Sequence, residues 1–255
     1  MLLSLAAAPA AADRLVAPSD LAPRGTVSAE AGGSYTRASL DLPMDDAYIH
    51  TVAASLRARV AVLDGVMVGL AQGAVIDQRL EQFSETVEVS ERNGIGDLAL
   101  TADGLLAFGA WKAGASLAVW LPTGTDELSN DRAALDVDLV GALRTSERVE
   151  LFATAGHHAA PAPDAIELTV GMHARDDNWS FVPRVRVTFD SPVDDADRGS
   201  VGVAGELGAA IELVPDVSFR LVASLARDRI VVDSQLFATT TLGVFGFVQG
   251  TRDFF

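Results

Sequence analysis

From Thr26 onward, segment after segment of this chain alternates apolar and polar residues with period two. That is the spacing of a β-strand with one greasy and one wet face. Residues 51 to 63, TVAASLRARVAVL, set Val52, Ala54, Leu56, Ala58, Val60 and Val62 against Ser55, Arg57 and Arg59. Wound into a helix, the same residues would smear both arginines into the apolar stripe. Residues 133 to 144 oppose Leu135, Val137 and Leu139 to Asp136 and Asp138, and residues 165 to 175 oppose Ile166, Leu168, Val170 and Met172 to Glu167, Thr169, His173 and Arg175. Further on, Trp179, Phe181, Val185 and Val187 oppose Arg184 and Arg186, Val203 and Leu207 oppose Glu206, and Phe219 and Leu221 oppose Arg220.

One stretch tests this reading. GLLAFGAWKAGASLAVWLPTG, residues 104 to 124, is long enough for a spanning helix and carries one charge, Lys112. Its Leu, Phe and Val residues contribute roughly −2 to −3.5 kcal/mol to insertion, and a central lysine costs about +2.5 to +3.5 kcal/mol. Insertion breaks even before Pro122 and the glycines count against a helix. A hairpin that crosses twice, with Lys112 in water at a turn over 109 to 114, is therefore expected.

Counted this way the chain holds about twelve strands, near 25–40, 48–62, 66–76, 95–108, 115–122, 133–144, 149–156, 165–175, 179–190, 199–213, 217–227 and 235–248. Their connections alternate between short (63–65, 144–148, 175–178, 214–216) and long (41–47, 77–94, 122–132, 157–164, 191–199, 228–234). An up-and-down meander then gathers the short turns at one end and the long loops at the other, as in outer-membrane barrels. The expected fold is all-β: an antiparallel up-and-down transmembrane β-barrel of about twelve strands over residues 25–255, preceded by an extension over 13–24. Residues 1–12 read as a truncated signal peptide, with Leu2, Leu3 and Leu5 leading to Ala10-Ala11-Ala12, although no basic leader precedes them. An alanine-rich tail is the other reading of that segment.

A formal charge of −16 argues against a grip on nucleic acid. The absence of cysteine excludes disulfides and thiolate metal sites. In a membrane barrel the polar face is confined, so opposite charges have to pair there. The inward set includes Arg57, Arg59, Asp97, Asp136, Asp138, Glu150, Arg184, Arg186, Glu206 and Arg220 as lumen-lining candidates, and Arg184 is expected to face Glu206. Trp111, Trp120 and Trp179 fall at strand ends, where interfacial aromatic belts lie. The chain ends in Phe255, and Gly250 to Asp253 interrupt the alternation, which makes Phe245 and Phe247 candidates for lipid-facing aromatics closing the last strand.

NGIGDLALTADGLLAF followed by ASLAVWLPTGTDE resembles the Gly-x-Gly-Asp strand and Leu-Pro-Thr-Gly strand end of an outer-membrane barrel family of transporters from the meta-cleavage pathway of phenol degradation. The resemblance covers about 30 residues locally and implies passive uptake of small hydrophobic or aromatic compounds. It places Gly94, Gly96 and Asp97 at the extracellular start of one strand and Pro122, Thr123 and Gly124 at the end of the next, in structural roles.

Other candidates yield little. His157 and His158 beside Asp164 lack a third ligand and read as a solvated loop; no metal or cofactor is expected. His173 with Ser180 suggests a hydrolase, but no nucleophile motif accompanies them, so no catalytic residues and no enzyme are expected. The acidic residues Asp45, Asp46, Asp126, Glu127, Asp131, Asp194, Asp195 and Asp197 form a loop rim, and the glutamates of 77–94 suggest a lid. The expected setting is the Gram-negative outer membrane, with its lipid and lipopolysaccharide, the barrel-assembly machinery and a small-molecule solute as partners. The rival readings are a plugged, non-transporting barrel and a soluble exported β-barrel ligand binder.

Overall fold

The computed structural model describes residues 22–41, 46–83, 87–125, 128–129, 132–159, 165–190, 200–232 and 235–253. Twelve antiparallel strands form one closed ring, each paired with its sequence neighbours, with β1 paired to β12. They are β1 (Thr26–Asp41), β2 (Asp46–Leu63), β3 (Val66–Phe83), β4 (Val87–Phe108), β5 (Trp111–Leu121), β6 (Ala134–Arg144), β7 (Val149–His158), β8 (Ala165–Arg175), β9 (Trp179–Asp190), β10 (Ser200–Val214), β11 (Val217–Val232) and β12 (Gln235–Asp253). Closure satisfies every edge, which lets bare backbone enter lipid. Among the described residues no helix is long and apolar enough to cross a membrane.

The short hairpins gather at one end. Gly65, at φ 74°, turns β2 into β3, and Gly109, at φ 65°, turns β4 into β5. The latter hairpin corrects an expectation: Phe108 pairs with Trp111, so the turn is only Gly109-Ala110 and Lys112 lies in the strand. The stretch does cross twice.

Two more expectations fail for one reason. The loop and lid expected over 77–94 is mostly wall, because Gln78 to Phe83 pair with Val87 to Arg92 and extend β3 and β4 upward. Of the loop expected over 228–234, residues 228–232 likewise continue β11, pairing with β12 from Asp228↔Thr239 to Val232↔Gln235. Above the lipid a strand has no apolar face to display, so period two disappears from its sequence while the ladder continues.

Outside, each strand shows large apolar side chains: Val27, Leu56, Leu70, Leu100, Leu117, Leu139, Leu151, Val170, Val185, Leu207, Leu221 and Leu242 are all exposed. An apolar band around a whole ring suits hydrocarbon rather than water. Trp111 and Trp179 are exposed at its short-turn end. Toward the other end of β1 and β2 the outer face turns polar: the Tyr35 hydroxyl meets His50 Nδ1 at 2.8 Å, and the Arg37 guanidinium lies 4.7 Å from the Tyr48 ring centre. On β3 and β4, Arg79 pairs with Asp77 at 3.1 Å and with Glu91 at 3.5 Å.

The last strand corrects a further expectation. β12 runs unbroken to Asp253, which faces Thr26, and Phe245 and Phe247 point inward as buried residues. Inward aromatics alternate with Val244 and Val248, which with Leu242 are exposed large apolar residues of that strand. Phe255, the segment 1–21, Asp45, Asp126, Glu127, Asp131, Asp164, Asp194, Asp195 and Asp197 lie outside the described residues.

Candidate functional site: the inner face of the barrel

Polar and charged residues that a strand hides from lipid are brought together inside the ring. Arg184 on β9 faces Glu206 on β10 and its Nε donates to the Glu206 carboxylate. Arg186 bridges two acids, Glu206 at 3.2 Å and Glu167 at 3.4 Å. Both arginines are thus held by neighbouring carboxylates, and their charge is absorbed by the wall.

Other ion pairs reach over a whole strand, and in two of them a small residue makes room. Lys112 on β5 meets Glu150 on β7 at 2.6 Å, with the side chains 3% and 7% exposed. Between them on β6 sits Ala142, the cross-strand partner of Lys112. Arg59 on β2 reaches Asp103 on β4 at 3.7 Å over Gly69 of β3, the cross-strand partner of Arg59. A Cβ on Gly69 would stand 2.6 Å from Arg59 Cγ. Arg220 on β11 reaches Glu30 on β1 at 3.7 Å across β12. The same device seats rings: Phe247 lies over Gly32, and Phe152 over Gly171.

Near the long-loop end, Asp97 on β4 is a clasp. Its Oδ1 accepts from Thr123 N at 3.1 Å, Gly124 N at 2.9 Å and the Ser129 hydroxyl at 2.6 Å. Leu98 N donates to Thr123 Oγ1 at 3.0 Å, and Thr125 N donates to Ile95 O at 2.8 Å. A Cβ on Gly124 would stand 2.7 Å from Ile95 O. The Gly-Asp and Pro-Thr-Gly segments therefore touch, and their chemistry is that of a loop anchor.

One strand pair further round, Asp136 accepts from Trp120 Nε1 at 2.8 Å and from Ala159 N at 2.9 Å. Trp120 accordingly points inward, which removes it from the expected aromatic belt. His158 belongs to β7 and is buried, which replaces the expected solvated loop; its Nε2 is 3.3 Å from Asp138 and its Nδ1 is 3.8 Å from Asp136. His157 faces outward, and the two His158 nitrogens address different carboxylates, so these groups do not converge on one point. No cluster of three metal-ligating side chains occurs among the described residues. Ser180 is the cross-strand partner of Arg175, and Glu150 on β7 is that of His173.

All ten lumen candidates, Arg57, Arg59, Asp97, Asp136, Asp138, Glu150, Arg184, Arg186, Glu206 and Arg220, stand at inward positions of the alternation. Sequence reasoning missed four others. Lys112 was masked by its nearness to a turn, and His158 by an apparent loop. Phe245 and Phe247, with Val222, form a buried apolar cluster on the inner wall; aromatics on the polar face of a strand give no signal that separates them from the lipid face.

No protein-family model matches the chain, and no curated protein matches it. Solved structures do. An outer membrane channel from Pseudomonas putida F1 superposes at TM-score 0.71 with 14% identity, covering 93% of this chain and 100% of that one. This is the fold of an outer-membrane β-barrel channel. The translocator domain of autotransporter NalP from Neisseria meningitidis superposes at TM-score 0.53 with 13% identity, over 94% of this chain and 95% of that one. The CymD monoaromatic hydrocarbon channel aligns at TM-score 0.49 and 8% identity, over 91% and 90%. Identities this low speak for architecture.

Proposed function

We propose that this protein is a passive channel of the Gram-negative outer membrane, passing small molecules of hydrophobic or aromatic character. The observation that carries the reading is the inner wall itself, where an apolar cluster of Val222, Phe245 and Phe247 sits among charges that largely neutralise one another. Apolar side chains on the inner wall lower its polarity, and charges paired within the wall leave little net field along it, which suits a hydrophobic solute better than an ionic one. Of the ten inward lumen candidates, Arg57, Arg59, Asp138, Glu150, Arg184, Arg186, Glu206 and Arg220 then belong to the wall of the passage, while Asp97 and Asp136 hold the segments at its long-loop end.

The outer-membrane setting is supported by the apolar exterior band and by the shared barrel architecture. It entails lipid and lipopolysaccharide around the wall, the barrel-assembly machinery for insertion, and export of a chain that begins near Asp13 after its leader is removed. Membership of the meta-pathway transporter family is supported by the joined Gly-Asp and Pro-Thr-Gly segments. Liposome swelling tests the channel directly: purified protein should admit small neutral aromatic alcohols faster than sugars of equal size. A solute-tight barrel in swelling and in single-channel conductance would leave a plugged, non-transporting protein in place of the channel.

A further inference from the structure

The chain carries a formal charge of −16, yet one part of its outer wall is basic. Arg37 on β1 and Arg227 on β11 are exposed, on the face that carries Val27 and Leu225 rather than on the inner one. His50 on β2 is the cross-strand partner of Arg37, and the ladder runs from Ser39 to Thr240 on β12 and from Thr240 to Arg227. Two guanidinium groups, an imidazole and two hydroxyls therefore share one outward patch over four adjacent strands, β11, β12, β1 and β2. No acid adjoins the two arginines there. Among the described residues Arg37 lies between His50 and Leu242 in the ladder and Arg227 between Thr240 and Val203, and the outward positions one step above and below them carry no carboxylate. Arg79 on β3, by contrast, is held by Asp77 and Glu91.

Height in the wall fixes what these groups meet. Arg37 lies ten residues along β1 from Val27, and Arg227 ten residues along β11 from Val217, both counted from the short-turn end. At about 3.3 Å per residue and a tilt near 40°, that length rises about 25 Å, the height of the hydrocarbon band. Both arginines thus stand at the upper edge of the band, at the end where long loops face the outside of the cell. The Tyr48 ring, 4.7 Å from the Arg37 guanidinium, and the Tyr35 hydroxyl, 2.8 Å from His50 Nδ1, steady the patch without cancelling its charge.

We propose that Arg37 and Arg227, with Ser39, Thr240 and His50, bind a phosphate of lipid A, the phosphorylated glycolipid of the outer leaflet, whose acyl chains continue down the apolar wall beneath. This rests on the outer-membrane reading above and gives its lipid partner a site. Arginine suits the task because its fork donates two parallel hydrogen bonds to a phosphate. Only β12 separates β1 from β11, so the two backbones lie about 10 Å apart, a gap that two arginine side chains close around one phosphate.

The probes are lipid A and the same glycolipid stripped of both phosphates, titrated against the full chain in detergent micelles, with bound lipid counted by native mass spectrometry. Lipid A should bind at least about tenfold tighter, the difference expected of charge-assisted hydrogen bonds. Arg37→Gln combined with Arg227→Gln should bring that ratio toward one, and Arg148→Gln, in the turn at the opposite end, should leave it unchanged. Phosphatidylglycerol, whose diester phosphate carries a single charge, should bind more weakly than lipid A. Equal binding of the phosphorylated and stripped glycolipids by the native protein, or binding of neither, overturns the inference and needs no variant to fold; phosphatidylglycerol binding as tight as lipid A overturns the choice of lipid. Liposome swelling of the native protein keeps the readings apart. Solute entry without phosphate preference spares the channel and sinks the lipid site, whereas phosphate preference in a solute-tight barrel supports the site and removes the channel.

Discussion

Asp97 Oδ1 accepts a hydrogen bond from Gly124 N at 2.9 Å, which joins the start of the lipid-spanning part of β4 to the loop that leaves β5. The carboxylate holds two other donors, Thr123 N and the Ser129 hydroxyl, and Asp97 is 5% exposed. Replacing it by alanine takes the acceptor from Gly124 N, at a cost of about 1–3 kcal/mol where water does not reach that donor, while Thr123 N keeps the Leu121 carbonyl at 2.7 Å. Asp97→Ala should therefore lower the unfolding midpoint in detergent and make the 122–129 loop susceptible to protease. Asp97→Asn, which keeps an acceptor oxygen but loses the charge, should fall between. Protease resistance unchanged from the native protein would show that the loop is held elsewhere.

This clasp also shows where sequence reading stopped. Period two placed Leu98, Leu100 and Asp97 on opposite faces correctly, because lipid enforces that alternation residue by residue. It could not tell a carboxylate that lines a space from one that binds a loop, since both are acidic and both point inward. Where lipid ends the pattern lost its grip: 77–94 reads as loop although its hydrogen-bond ladder continues, and Lys112 reads as a turn residue although its ammonium is buried. Long-range pairing supplied what local pattern lacked, because Glu150, the partner that makes burial of Lys112 tolerable, is distant in sequence.

The Lys112 and Glu150 pair makes a second prediction. With both side chains under a tenth exposed, removing one charge strands the other in a poor solvent. Lys112→Met should cost roughly 3–5 kcal/mol of stability, whereas the double change Lys112→Met with Glu150→Gln should recover most of it. Urea unfolding of the barrel in lipid vesicles measures both. Additive losses in the double variant would mean that the two groups do not see each other.

Glycine substitutions separate inner from outer wall. Gly69 faces inward, where an added Cβ would collide with the Ala58 carbonyl and press on Arg59, while a methyl group added at Gly141 on β6 would have nothing within 4 Å. Gly69→Ala should push Arg59 away from Asp103 and destabilise the barrel by about 1–3 kcal/mol, as overpacking does. Gly141→Ala should be neutral or slightly stabilising, since the unfolded chain loses freedom while the folded wall meets no clash. Vesicle refolding yields of the two variants, compared at the same urea concentration, provide the measurement.

The lipid-facing assignment itself is open to a direct optical test. Trp111 and Trp179 are 60% and 50% exposed on the outer wall, whereas Trp120 points inward and donates to Asp136. In three single-tryptophan variants, brominated lipid should quench Trp111 and Trp179 and leave Trp120 nearly unchanged, because bromine on an acyl chain acts only at short range. Val170, 60% exposed and midway along β8, supplies the energetic counterpart. Val170→Arg should cost about 2–4 kcal/mol if hydrocarbon surrounds that face, and close to nothing if water does. Quenching of Trp120 equal to that of the other two, together with a neutral Val170→Arg, would reverse the inside and outside of every strand in the ring.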